Sequence, residues 1–313
     1  MNFRINKNQT NKMTEKIDTW KVAALYRFVA LHHLEDLQVR LKTHCDDLGV
    51  YGTLLIAPEG VNGTIAGSHQ AIDDMIDILD QLCDVRQGEV KYATASAKPF
   101  RRMKVRIKKE IITMRTDKAK PEEIVGTYVD PKDWNDIISD PDMIVLDTRN
   151  DYEIAIGTFE NAINPDIKVF TEFAPYVEAN LDPKKHKKIA MFCTGGIRCE
   201  KASSYMLNQG FENVYHLKGG ILKYLEEIPE EQSLWKGDCF VFDRRVGVGH
   251  GLKEGRYDMC YSCGWPLTYE EVRHPSYEKG VSCLYCIDDL TEERAFGFRM
   301  RQQQSEQGLF KWD

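Results

Sequence analysis

A run of four apolar residues that ends on a cysteine, turns on two glycines and continues into a helical stretch sets the strictest limit on what this chain can fold into. In Ile189-Ala-Met-Phe-Cys-Thr-Gly-Gly-Ile-Arg-Cys-Glu-Lys201 the apolar run is too short for a helix and is closed by glycine, so it reads as a buried strand. Glu200 to Leu207 continues as a helix. Ile144-Val-Leu-Asp-Thr-Arg149 and Val214 to Leu217 supply two more strands, the last followed by Lys218-Gly-Gly220. Buried strands alternating with helices specify a parallel α/β sheet. Ligands of such sheets bind beyond the carboxyl ends of the strands, where Asp147, Arg149 and Cys193 stand.

A turn of this kind aims several backbone N–H groups and a helix N-terminus at one sulfur, which favours thiolate over thiol. Arg198, five positions on, adds a fixed positive charge. Thiolate is the nucleophilic form, so Cys193 is a candidate for covalent sulfur chemistry. The competing reading is a small buried apolar residue, the commonest state of a free cysteine.

With 313 residues the chain is long enough for two or three domains. A formal charge of -7 argues against a surface positive all over, but leaves room for local patches. The first twenty residues are polar and carry no apolar run, so neither a signal peptide nor an anchor is expected there. No stretch approaches the apolar length of a membrane span. A cytoplasmic protein is expected. The nine cysteines, four of them in two Cys-x-x-Cys pairs, suggest metal or redox roles in a reducing compartment over a disulfide framework.

Between residues 21 and 115 the pattern predicts a ferredoxin-like α+β domain of order βαββαβ with an added strand. Its expected strands are Val22–Val29, Tyr51–Ala57, Val61–Ala66, Glu89–Ala95 and Met103–Met114. Helices are expected over Leu34–Leu48 and Ile72–Leu82, with Ser68 as a candidate N-cap. Lys98 to Lys109 holds seven basic side chains and no acidic one. Read as a strand, it puts Met103, Val105 and Ile107 on the core face and Arg102, Lys104, Arg106 and Lys108 on the other. That row is either a solvated face or a surface that attracts phosphates. The run Lys184–Lys188 reads as a solvated loop. A linker is expected near Thr116–Glu123, with a parallel α/β domain over 116–235 and a cysteine-rich region over 236–313 that ends in a polar helix.

Cys260, Cys263, Cys283 and Cys286 form C-x2-C-x19-C-x2-C, the spacing of a four-thiolate zinc knuckle or ribbon. Four thiolates leave no open coordination position, so any zinc there would be structural. Four unliganded thiols are the alternative. His250 and His274 read as surface or packing residues, and Cys239 is unassigned. Tyr261, Trp265, Tyr269, Tyr277 and Tyr285 would either pack this module or stack on bases splayed from an RNA loop.

Asp147-Thr-Arg149 with Glu153 and Gly157, then Cys193-Thr-Gly-Gly-Ile-Arg198, then Leu217-Lys-Gly-Gly220 resemble the three landmarks of a rhodanese domain. The resemblance implies that Cys193 carries a persulfide and that Thr194, Gly195, Gly196, Ile197 and Arg198 cradle it. It implies that Arg198 stabilises negative charge, and that Asp147 and Arg149 brace the sheet edge through a salt bridge. Thr158 stands where rhodaneses often have histidine. Phosphatases of related layout place five residues between cysteine and arginine; here there are four, which suits sulfur better than phosphate.

Pro58-Glu-Gly-Val-Asn-Gly-Thr64, Cys193 to Lys201, Gly219 to Leu225 and Phe240-Val-Phe-Asp243 extend the likeness. The whole chain resembles the rhodanese-domain tRNA uridine(34) hydroxylase family. That resemblance implies an oxidoreductase that uses molecular oxygen as co-substrate to make 5-hydroxyuridine at the tRNA wobble position. It implies the anticodon loop as partner, no membrane, and an essential Cys193. No flavin or nucleotide site is evident, and no motif specifies a protein partner. A sulfurtransferase and a non-catalytic RNA-binding module are the rival readings. Cys199 would either resolve intermediates on Cys193 or pack.

Overall fold

The computed structural model describes residues 19–86, 90–243 and 245–308. Most of the expected polar extension over 1–20, and Glu89 of an expected strand, lie outside the described residues.

The first domain runs β1 (Trp20–Phe28), α1 (Leu34–Leu48), β2 (Tyr51–Ala57), β3 (Gly60–Gly67), α2 (His69–Cys83), β4 (Lys91–Ala95) and β5 (Met103–Ile107). The sheet order is β4-β1-β3-β2-β5, antiparallel throughout except for β5, which lies parallel to β2 at the edge. This is the ferredoxin-like arrangement with one strand added. Alternation along each strand sends Ala23, Leu25, Leu54, Ile56, Val61 and Ile65 into one core with Leu41 of α1 and Ile72 and Met75 of α2. Each such side chain contributes roughly 1.5–3 kcal/mol on burial. Ser68 caps α2 through its hydroxyl, which accepts the Ala71 N–H at 3.2 Å. Both helices cover the same face. The other face, with Ala24, Tyr26, Thr53, Leu55, Asn62 and Thr64, is left for the second domain.

That domain runs β6 (Thr127–Val129), α3 (Pro131–Ile138), β7 (Ile144–Asp147), α4 (Asp151–Ile154), β8 (Gly157–Phe159), α5 (Phe173–Asn180), β9 (Lys188–Phe192), α6 (Ile197–Asn208), β10 (Asn213–Leu217) and α7 (Gly220–Glu227). Its four-stranded sheet has the order β6-β10-β9-β7, all parallel. Both faces are buried. Ile189 and Met191 of β9 enter one core with Phe173 and Tyr205, while Ala190 and Phe192 enter the other with Trp134, Phe159 and Tyr224. That two-sided burial is why the strand reads as a continuous apolar run.

Downstream, β11 (Trp235–Gly237) pairs with β8, and β12 (Cys239–Phe240) pairs with β13 (Gly247–Val248). Val241 and Val248 join the core of the central domain, so the start of the cysteine-rich region packs against that domain. β14 (Asp258–Met259) and β15 (Pro266–Leu267) form a small hairpin, and α8 (Glu292–Glu306) closes the chain behind an N-cap on Thr291. No helix among the described residues is long and apolar enough to cross a membrane.

Two expectations are corrected. The strand expected over Met103–Met114 stops at Ile107, because side chains take the backbone beyond it. Glu59 accepts the Ile111 N–H at 2.7 Å, the Asn62 amide donates to the Ile111 carbonyl at 3.0 Å, and Glu110 accepts from Met114 and Arg115. Within the expected linker the Lys120 N–H donates to Ser204 of α6, and beyond it the Gly126 N–H donates to Ser203. Helix α6 begins at Ile197, three residues before the expected Glu200, because Gly196 at φ 104° makes the turn.

Candidate active site

Cys193 follows β9 at the carboxyl edge of the parallel sheet and is fully buried. The turn is assembled from both sides. Gly220, at φ 68°, has no room for a side chain: a Cβ there would lie 2.5 Å from the Cys193 carbonyl oxygen. That close approach lets the Ile221 and Leu222 N–H groups of α7 donate to the carbonyls of Cys193 and Thr194 at 3.0 and 3.1 Å. With its carbonyls so engaged, the loop turns N–H groups toward the sulfur, and Gly196 donates to Cys193 Sγ at 3.1 Å.

Arg198 is 6% exposed and fixed by Glu153, to which its two terminal nitrogens donate at 2.5 and 2.7 Å. Thr194 donates to the same carboxylate at 3.2 Å, and the Asn150 N–H reaches it at 3.1 Å. Burial alone would push Glu153 up; the charges of Arg198 and Arg149 and the Asn150 N–H outweigh it and hold the carboxyl below its ordinary range. Beneath lies a second buried pair. Arg149 grips Asp147 with bonds of 2.9 and 2.6 Å and donates to the carbonyls of Glu153 and Gly157. Thr158 donates to Asp147 at 2.9 Å.

The buried cysteines behave differently from one another. Burial pushes Cys45, Cys83 and Cys239 up to about 12. Cys193 is buried as deeply, yet its thiol lies well below the ordinary range. There burial is outweighed by a hydrogen bond from the Cys199 thiol, the charge of Arg198 and the N–H groups of Cys199 and Gly196. Cys199 is pushed up, by burial first and then by its anionic neighbour, while Thr148 lies 3.6 Å from its sulfur. The two shifts run in opposite directions, with Cys199 as the donor and Cys193 as the acceptor of the bond between them.

Residues of the first domain complete the surroundings, and sequence reasoning assigned them no role. Glu200, next to Cys199, accepts the hydroxyls of Tyr26 from β1 at 3.1 Å and Tyr128 from β6 at 2.7 Å. Lys201, 2% exposed, is held between Glu59 at 2.9 Å and Glu110 at 2.6 Å. Glu200 and Lys201 sit inside the quoted cysteine motif, and Glu59 inside Pro58 to Thr64. Their partners are too distant in sequence for spacing to reveal them. Glu153 likewise stood in the motif as a landmark without a stated partner.

A cavity of about 760 Å³ opens where these parts meet. Cys193, Thr194, Gly195, Ile197 and Arg198 line one wall, the open sheet face of the first domain another, and Val241, Phe242, Asp243, Arg245 and Val248 a third. By register with Thr53 and Leu55, Lys104 and Arg106 share that sheet face, while Arg102 and Lys108 flank β5 at its two ends.

The four paired cysteines form a separate cluster. Their sulfurs lie within 4.8 Å of one another, with Cys260–Cys286 at 4.0 Å and Cys283 at 3.7 Å from both Cys263 and Cys286. A tetrahedral ion with bonds of about 2.3 Å sets its sulfurs roughly 3.8 Å apart, so the four donors fit a metal ion. Trp265 stacks on Tyr285 with centroids 4.4 Å apart, and Tyr277 packs on the same small core. Tyr269 is exposed, with the Arg273 guanidinium 3.1 Å above its ring.

Residues 20–111 match the family described as UPF0176 acylphosphatase like domain, and residues 130–227 match the Rhodanese-like domain family. A Picosynechococcus protein named tRNA uridine(34) hydroxylase is 53% identical over 288 residues, covering 91% of this chain and 96% of that protein. A protein of the same name from Acinetobacter baylyi is 54% identical over 289 residues, covering 91% of this chain and 90% of its own. Among solved structures, a rhodanese-related protein from Thermoplasma volcanium is 26% identical over 32% of this chain and 92% of its own length, with a TM-score of 0.26. Identity at this level along almost the whole of two relatives places the chain in the tRNA uridine(34) hydroxylase family.

Proposed function

We propose that this protein is an oxidoreductase that hydroxylates the wobble uridine of tRNA to 5-hydroxyuridine, with molecular oxygen as co-substrate and Cys193 as the reactive cysteine. The observation that carries the reading is the cavity that sets the Cys193 loop against the open sheet face of the N-terminal domain. A thiolate at one wall and a sheet face edged by Lys104 and Arg106 on the other side suit a base taken from a single-stranded loop whose phosphates stay outside. Both relatives carry the hydroxylase name. The net change replaces uracil C5–H by C5–OH; with oxygen as oxidant it consumes two electrons and two protons and yields one water.

In this reading Cys193 acts as thiolate or as the persulfide it carries. Gly196 and Cys199 hold its negative charge through hydrogen bonds. Arg198, neutralised by Glu153, lends electrostatic support from the cavity wall while fixing the loop. Asp147 and Arg149 brace the sheet edge below. Arg102, Lys104, Arg106 and Lys108 draw in the anticodon loop. The four clustered cysteines would hold a structural zinc, which would tie the C-terminal hairpin together and leave no position open for substrate. A protein acting on tRNA would work in the cytoplasm.

Nucleoside mass spectrometry of tRNA tests this. In a deletion strain, with any second route to the modification removed, 5-hydroxyuridine and nucleosides derived from it should vanish. Wild type should restore them and Cys193→Ala should not. Unchanged nucleosides in the deletion would overturn the proposal, and fast transfer of a Cys193 persulfide to small thiols, with no effect on tRNA, would favour a sulfurtransferase.

A further inference from the structure

Gly196 is one of two residues, with Cys199, whose backbone N–H bears on the reactive sulfur, its own at 3.1 Å. Gly220 of the same domain backs the turn on one side, and a Cβ built on the adjacent Gly195 would meet no atom of the described residues within 4 Å. The other domain meets Gly196 itself. A Cβ built on Gly196 would lie 2.8 Å from the Tyr26 hydroxyl oxygen, so that hydroxyl already rests against the Gly196 backbone. Its place is fixed from three sides. Tyr26 sits on β1, flanked in the sheet by β3 and β4; the hydroxyl donates to Glu200 at 3.1 Å, and the Lys91 ammonium lies 5.3 Å from the ring centroid.

We propose that Tyr26 is a positioning residue for Cys193: its hydroxyl, supplied by the N-terminal domain, braces Gly196 so that the Gly196 N–H stays on the sulfur. This rests on reading Cys193 as the reactive thiol. It deepens that reading by making the state of the thiol depend on how the sheet proposed to carry RNA is seated against the loop. The docking itself is secured elsewhere, by Lys201 between Glu59 and Glu110, so removing one hydroxyl leaves the domains together.

Several charged and titratable groups bear on the sulfur. Arg198, Cys199 and Glu200 belong to α6, Tyr26 to β1, and Glu153 of α4 acts through Arg198. Tyr128 and Lys91 act through Glu200. Tyr26→Phe keeps the ring and deletes the hydroxyl. Gly196 then gains room to move, its donation to the sulfur weakens, and the thiolate loses a stabilising partner, so the titration of Cys193 moves to higher pH.

The test is the pH profile of Cys193 alkylation by iodoacetamide in the full-length protein, read by peptide mass spectrometry. Trypsin cuts after Lys188 and Arg198, so Cys193 and Cys199 report on separate peptides. An upward shift of about 0.5–1 pH unit in Tyr26→Phe, seen as roughly three- to tenfold slower alkylation below the midpoint, is the expected result. Tyr128→Phe removes the other donor to Glu200 without touching Gly196 and should shift the profile less. A Tyr26→Phe profile that superimposes on wild type would overturn the inference. So would an equal or larger shift in Tyr128→Phe, which would move the cause from Gly196 to Glu200. A wild-type Cys193 that alkylates at no pH would overturn both this inference and the reactive-thiol reading. Because no tRNA is present, a clear Tyr26→Phe shift in a protein that fails to modify tRNA would count against the hydroxylase reading alone.

Discussion

Glu153 ties the Cys193 loop to α4 through a buried carboxylate. Its two oxygens receive Arg198, Thr194 and the Asn150 N–H, all inside the protein. Removing one partner of a buried pair strands the other charge away from water, at a cost of about 3–5 kcal/mol. Glu153→Gln should therefore lower unfolding stability at neutral pH by about that much in urea titrations, and should slow Cys193 alkylation as Arg198 loses its anchor. The pH dependence has a definite sign. The folded carboxyl lies below its unfolded value, so its contribution is complete above the unfolded pKa of about 4.3 and is lost as pH falls through the folded value. Wild type should lose stability in that acid window, while Glu153→Gln should lose less there. Equal acid sensitivity in the two proteins would show that the Glu153 pair contributes little.

At the level of elements, what the sequence disclosed depended on length and period. Leu34–Leu48 repeats leucine at helical spacing and forms that helix, and Ser68 caps α2. Phe192-Cys193-Thr194 followed by two glycines can hardly be anything but a strand end and a tight turn. β6 has three residues and α4 four, too short for any period to emerge, and both were missed. The Met103–Met114 strand is shorter than expected because the apolar Ile111, Ile112 and Met114 resume after Lys108-Lys109-Glu110, where Glu59 and Asn62 capture the backbone at Ile111. The cysteine spacing was legible because two adjacent vertices of a tetrahedron demand a short loop; that the sulfurs converge is a fact of the fold. The same element carries a prediction. Purified protein should contain close to one zinc per chain by elemental analysis, and Cys283→Ser should reduce it sharply. Protease sensitivity should then rise after Arg256 and Lys279, while Cys193 alkylation stays at the wild-type rate. Retention of full zinc in Cys283→Ser would remove Cys283 from the ligand set.

Across the whole molecule, Cys193 belongs to one domain and its setting to three segments of chain. Lys201 on α6 binds Glu59 and Glu110, and Glu200 beside it binds Tyr26 and Tyr128, so the helix that begins at the Cys193 loop is also the joint between domains. Spacing along the sequence carries no signal that pairs residues this far apart in the chain. The cavity and the cationic edge of the first sheet then lie on a common face, although net charge is negative overall. If Lys104 and Arg106 contact phosphates, each contact releases counterions, and the slope of log affinity against log salt should fall by about 0.7 per contact on a single-stranded segment. The double variant Lys104→Ala, Arg106→Ala should therefore bind tRNA more weakly at low salt and show a slope shallower by about 1.4. Weakening should be nearly the same for tRNAs of different anticodon, because phosphate contacts carry no base information. Alkylation of Cys193 should keep its wild-type pH profile, since neither cation is among the largest causes of its shift. An unchanged salt slope would move the RNA track off this strand, and an altered alkylation profile would mean that the sheet edge and the thiol are coupled more directly than through Tyr26.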